Sequence, residues 1–125
     1  MGHPGFRRTI LVVEDELFIR MSAVAALEDE GFVVLAAKNG AEALEVLLQH
    51  SETNILVTDV RMPGPVDGLA LIAQVQIDHP AIRAIVVSGN ATAEQARNAG
   101  ASGFVAKPYL PKTMVQAVHD TILLQ

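Results

Sequence analysis

Thr9-Ile10-Leu11-Val12-Val13-Glu14-Asp15-Glu16 begins as an unbroken apolar run and ends in three successive acids. A run this apolar, rich in β-branched residues and without polar alternation, is the pattern of a strand covered on both faces. The segments after it decide the class. Leu17 to Glu30 has helical spacing in Leu17, Met21, Val24 and Leu27, and Gly31 is a stop signal. Phe32–Ala36 is a second apolar run, and Asn39 with Glu42 three residues on marks a helix start that runs to about His50. The alternation then repeats. Asn54–Thr58 reads as a strand, and Met62–Gly68 as a loop by its prolines and glycines. A helix carrying Leu69, Ile72, Val75 and Gln76 should end before Pro80. Arg83–Val87 is a strand, Thr92 opens an alanine-rich helix that stops at Gly100, and Gly103–Ala106 is the fifth strand. Pro111 suits the first position of a last helix with Met114, Val115, Val118, Ile122 and Leu123 as its buried stripe.

Five apolar strands alternating with five helices predict an α/β fold: a doubly wound parallel sheet covered on both faces. The 125 residues amount to one domain, expected to span 1–125, and no linker or repeat interrupts them. Met1-Gly2-His3-Pro4 carries no fold or site signal. Half of the residues are hydrophobic and 18% are charged, an ordinary globular balance. Cysteine is absent, which rules out a disulfide framework and a thiolate metal site. The apolar stretches fall short of the ~18 residues that cross a membrane, and nothing resembles a signal peptide. A cytoplasmic protein with no membrane partner is therefore expected. The net charge of −5 argues against direct binding of nucleic acid, which wants a basic face.

Ligands of a doubly wound sheet bind at the carboxyl ends of its strands, near the switch in strand order. Glu14, Asp15 and Glu16 follow the first strand, Asp59 the third, Ser88-Gly89-Asn90 the fourth and Lys107-Pro108 the fifth. All are expected on one rim. Carboxylates crowded there repel one another and raise each other's pKa. A hard cation such as Mg²⁺, which takes oxygen ligands, resolves the conflict. Lys107 adds a second positive charge, and a carboxylate beside two cations suits nucleophilic attack on phosphorus.

Glu14-Asp15, Asp59, Met62-Pro63, Asp67-Gly68, Ser88-Gly89 and Lys107-Pro108, in this order on alternating strands and helices, resemble the receiver domains of two-component response regulators. The resemblance covers Arg8 to Leu124. It implies a flavodoxin-like sheet of strand order 2-1-3-4-5. It also implies a phosphoryl group accepted on Asp59 from a sensor histidine kinase or histidine phosphotransfer protein, with Mg²⁺. By the same resemblance Asp15 is the direct metal ligand, Glu14 acts through a water, and Asp59 and the backbone carbonyl of Arg61 complete the set. Lys107 would contact Asp59 and then a phosphoryl oxygen, and Ser88 would take another. Phe104 matches the aromatic that swings inward behind Ser88, switching a surface made of the fourth helix, fifth strand and fifth helix toward a downstream protein. The Lys107–Pro108 peptide is expected to be cis. Arg61 and Asn90 flank the acceptor and are expected to tune phosphoryl lifetime. Glu14 stands where Asp is common, Ser88 where Thr is also familiar, and the 62–68 loop is one residue longer than its commonest form.

Competing readings are specific. Asp15 alone could cap the first helix, Asp59 could be a turn residue, and Phe104 a core aromatic. Asp67 is expected to cap the third helix. His3, His50, His79 and His119 read as surface residues without metal partners. A Mg²⁺-dependent phosphatase working through an aspartyl phosphate needs a second acid two residues after the nucleophile, and Arg61 stands there. A binding module that is never phosphorylated would not need the whole reactive set. Dinucleotide binding is disfavoured because no Gly-rich turn comes after the first strand. The domain is expected to catalyse only its own phosphorylation and dephosphorylation, so it is not an enzyme acting on a separate substrate.

Overall fold

The computed structural model describes residues 7–89 and 91–124; Met1–Pro4, with His3, and Asn90 lie outside them. Its elements alternate in chain order: β1 Thr9–Val13, α1 Leu17–Asp29, β2 Val33–Ala37, α2 Gly40–Gln49, β3 Thr53–Asp59, α3 Gly68–Asp78, β4 Arg83–Ser88, α4 Ala93–Asn98, β5 Gly103–Ala106 and α5 Pro111–Leu123. The strands form one sheet of order β2-β1-β3-β4-β5, parallel throughout. This is the doubly wound, flavodoxin-like sheet expected from the alternation and the resemblance.

Successive strand residues point to opposite faces, and the core divides accordingly. Leu11, Val13, Leu56, Ala84 and Val86 pack against Ala43 and Leu47 of α2, Leu71, Ile72 and Val75 of α3, and Ala96 of α4. Ile10, Val12, Ile55, Val57, Ile85, Val87 and Val105 pack against Ala23 and Leu27 of α1 and Met114 and Val118 of α5. Both faces are therefore covered, which is why the inner strands read as unbroken apolar runs. Edge strand β2 is covered less, and Val33 stays 41% exposed.

Two buried stripes differ from expectation. In α5 the stripe is Met114, Val118 and Thr121, with Val115 and Ile122 half-buried and Leu123 in solvent. Leu123 stands about half a turn round the helix from Met114, and Thr121 fills the inward position by donating its hydroxyl to the Ala117 carbonyl at 2.8 Å. In α1 the stripe is Ala23 and Leu27, while Leu17, Phe18 and Met21 are exposed. Capping mostly agrees with the sequence. Asp67 accepts from the Ala70 amide, Asn39 from the Glu42 amide, and Thr92 forms a reciprocal box with Gln95. Glu42 reaches past Asn39 to the Lys38 amide, so the second box is not reciprocal. No helix among the described residues is long and apolar enough to cross a membrane.

Candidate functional site

The strand order reverses between β1 and β3, and the acids stand at the ends of those two strands. The Glu14 amide still bonds the Ala37 carbonyl at 3.1 Å, after which the chain turns into α1. Glu16 caps that helix by accepting the Ile19 amide at 2.8 Å, and its own amide donates to Glu14 Oε2 at 3.0 Å. The cap is thus Glu16, and Asp15 is left exposed beside the cluster. Asp59 is the last residue of β3 and is buried; its Oδ1 accepts the Val60 amide at 2.7 Å. Glu14, Asp15 and Asp59 each bring a carboxylate oxygen within 4.8 Å of the others. Three hard oxygen donors so close fit a small divalent cation by donor type and spacing.

Lys107 comes from the far side of the site. Its amide donates to the Ser88 carbonyl at 2.9 Å, and its peptide bond to Pro108 is cis. From that anchor Nζ donates to Asp59 Oδ2 at 2.8 Å and to Glu14 Oε1 at 2.9 Å. The direct link to Glu14, 93 residues away in sequence, was not part of the sequence expectation. Burial pushes the Glu14 carboxyl above its ordinary value, and the Asp59 charge adds to this; the Glu16 amide and Lys107 pull the other way without cancelling it. Burial works against the charge on Lys107, but the hydrogen bonds to Asp59 and Glu14 outweigh it and hold the ammonium above its ordinary value.

The remaining expected residues border this core. Ser88 ends β4 and is buried, one residue past Val87, the register partner of Asp59. Its Oγ accepts the Ala91 amide at 3.0 Å. Phe104 pairs with Val86 in β5 and is half-buried against the α2–α4 side of the core. Arg61 is exposed at the start of the 62–67 loop, and Asn90 lies outside the described residues. His50 and His119 pair at the surface with Glu52 and Glu30. The acid cluster is the one group of potential metal-ligating side chains among the described residues.

Two features beside the site were not read from the sequence: the packing of Gly68 of the Asp67-Gly68 pair, and a groove. Gly68 is buried with its amide on the Val60 carbonyl at 2.8 Å, and a Cβ there would stand 1.9 Å from the Asp59 carbonyl oxygen. An apolar groove of about 510 Å³ also runs beside Lys107, lined by Phe18, Ile19, Ser22, Pro108, Tyr109 and Pro111. Tyr109 offers a direct check on this packing because it is the single tyrosine of the chain. Burial first, then the Glu14 charge, raises its phenol above the ordinary 10.0. The folded state therefore favours the neutral phenol. That contribution to stability is complete below about pH 10 and is lost as pH rises through the folded value. Phenolate absorbance should show a higher midpoint in native protein than in urea-unfolded protein; coincident midpoints would contradict the burial.

Acids at the β1/β3 switch point with a lysine just past β5 define a receiver-type α/β module. The chain belongs to the response regulator receiver domain family, whose model matches residues 10–119. It is similar to the sensor kinase CckA of Brucella abortus, 40% identical over 118 residues that cover 91% of this chain and 12% of that protein. It is similar also to the DNA-binding transcriptional regulator NtrC of Escherichia coli, 37% identical over 106 residues that cover 85% of this chain and 22% of NtrC. The chain thus spans less than a quarter of either relative. A receiver domain protein (CheY-like) from Methanospirillum hungatei superposes with a TM-score of 0.84 at 27% identity, covering 93% of this chain and 94% of its own. Receiver domains belong to two-component signalling systems and bind Mg²⁺ at an acidic pocket, and this chain has an acidic cluster of Glu14, Asp15 and Asp59.

Proposed function

We propose that the chain is a single receiver domain that accepts a phosphoryl group on Asp59 from a phosphohistidine of a sensor kinase or phosphotransfer protein. The observation that carries the reading is Lys107 Nζ held 2.8 Å from Asp59 inside a cluster of three carboxylates. An Asp59 oxygen forms the new bond to phosphorus, the bond from phosphorus to the donor's imidazole nitrogen breaks, and its electron pair leaves with the imidazole. Glu14, Asp15, Asp59 and the Arg61 carbonyl would hold Mg²⁺, which when bound supplies positive charge against the oxygens of the transferred group. Lys107 tracks one of those oxygens and the Ser88 hydroxyl takes another. The Val60 amide keeps the second Asp59 oxygen fixed. Phe104 then moves behind Ser88 and alters the α4-β5-α5 surface read by a downstream protein. The domain turns over no separate substrate.

Incubation with Mg²⁺ and acetyl phosphate should add one phosphoryl group to the intact protein, read by mass spectrometry. Asp59→Asn should add none, and a gain that survives this substitution would refute the assignment.

The apolar groove shares Lys107 with the acids and so offers an apolar surface next to Asp59 for a protein that brings an imidazole there. Phe18 is 76% exposed there and supports no core contact. Phe18→Asp should slow transfer from a phosphorylated phosphotransfer domain by about tenfold or more, the scale of a lost aromatic anchor. Acetyl phosphate, which needs no such surface, should label the variant at the parent rate. Equal slowing with both donors would place the defect in the site instead.

A further inference from the structure

The acid turn holds one cation that does not touch its carboxylates. Arg20 lies in the second turn of α1, and its Nη1 donates to the Glu14 carbonyl at 2.8 Å and reaches the Asp15 carbonyl at 3.4 Å. Among the described residues no carboxylate lies within ion-pair distance of this guanidinium, whereas Lys107 bonds Glu14 and Asp59 directly. The difference has a chemical consequence. Three consecutive acids at the end of a strand repel one another, and a cation paired with their carboxylates would compete with a metal for the same oxygens. A guanidinium on the carbonyls offsets part of the repulsion and leaves the carboxylate oxygens available. It also fixes the two peptide planes from which the Glu14 and Asp15 side chains project. The other ties in this turn are the Glu14 amide on the Ala37 carbonyl, Lys107 Nζ on Glu14 Oε1, the Glu16 amide on Glu14 Oε2, and the Ile19 and Arg20 amides on Glu16; none of them holds the Asp15 carbonyl.

We propose that Arg20 is a positioning residue for the cation-binding turn, holding the Glu14 and Asp15 backbone so that their carboxylates converge on Asp59. The proposal rests on the reading of the acid cluster as a Mg²⁺ site. Residues that orient metal ligands without touching the metal are worth about 10-fold or more in affinity.

The test is calorimetric titration with MgCl₂ of the parent chain, Arg20→Ala, Arg20→Lys and Val118→Ala, a core variant on α5 that lowers stability away from the site. Melting temperatures and backbone amide spectra are taken alongside. Arg20→Ala should bind Mg²⁺ about tenfold more weakly, with the amides of residues 14–16 displaced before metal is added. Arg20→Lys keeps the charge without the reach of the planar head and should fall between. Val118→Ala should bind as the parent does in spite of its lower melting temperature. Parent-like affinity in Arg20→Ala, with only the melting temperature changed, would overturn the proposal. Should Arg20→Ala not fold, Arg20→Lys decides: weaker binding supports the role and parent-like binding overturns it. A parent chain that binds no Mg²⁺ would instead overturn the reading of the site, and the Arg20 role with it.

Discussion

Lys107→Met is expected to slow phosphoryl uptake by about 100- to 1000-fold, the usual scale for removing one fixed charge that faces a developing transition-state charge. Methionine keeps the apolar stem and removes only the ammonium. Two losses then act together. Asp59 and Glu14 are left facing each other without the cation that bridges them at 2.8 and 2.9 Å, which drives the already raised Glu14 carboxyl further up. The oxygens of the transferred group lose their nearest protein cation as well. Lys107 is well suited to the task because its pKa is raised, so it stays charged through neutral pH. The rate of acetyl phosphate labelling checks this, with Lys112→Met, an exposed lysine on α5, as the variant that should match the parent. Parent-like labelling of Lys107→Met would remove the lysine from the mechanism.

Gly68→Ala is expected to be the most damaging conservative change for stability. The added methyl would stand 1.9 Å from the Asp59 carbonyl oxygen and 2.8 Å from Val60 Cα. These are backbone atoms at the end of a central strand and cannot rotate aside as a side chain would. The loop must lift, and the Gly68 amide then loses the Val60 carbonyl. Overpacking of this kind costs about 3 kcal/mol or more, a fall in Tm of roughly 10 °C for a chain of this size. Gly89→Ala is the matched comparison: its methyl meets only Lys107 Cβ, at 3.7 Å. Thermal unfolding should separate the two variants widely, and similar midpoints would show that the 62–67 loop accommodates the methyl.

Residues legible in the sequence were those whose signal is local. Ile10–Val13, Ile55–Val57 and Ala84–Val87 are all buried, and a strand covered on both faces announces itself as an unbroken apolar run. The acids and Lys107 were legible because the end of a strand in a doubly wound sheet has a known place. The features that escaped depend on the path of the chain through space. Arg20 reads as a solvated helical arginine, since its partners are backbone carbonyls that leave no mark on the sequence. Gly68 was visible as a glycine, but the path of the loop over the Asp59 carbonyl was not. The exposure of Leu17, Phe18, Met21 and Leu123 shows the same limit. Helical spacing says which residues share a face, and only the placement of α1 and α5 on the sheet says which face is covered.

Asp59 meets both the acid cluster and Lys107 at the carboxyl end of the sheet. A crystal structure grown with Mg²⁺ and beryllofluoride tests that meeting most directly. The prediction is a fluoroberyllate bonded to an Asp59 carboxylate oxygen, Lys107 Nζ and Ser88 Oγ on its fluorines, and the metal between Asp15 and Asp59. Beryllofluoride bound elsewhere, or an Asp59 carboxylate left bare with Lys107 turned away, would contradict it.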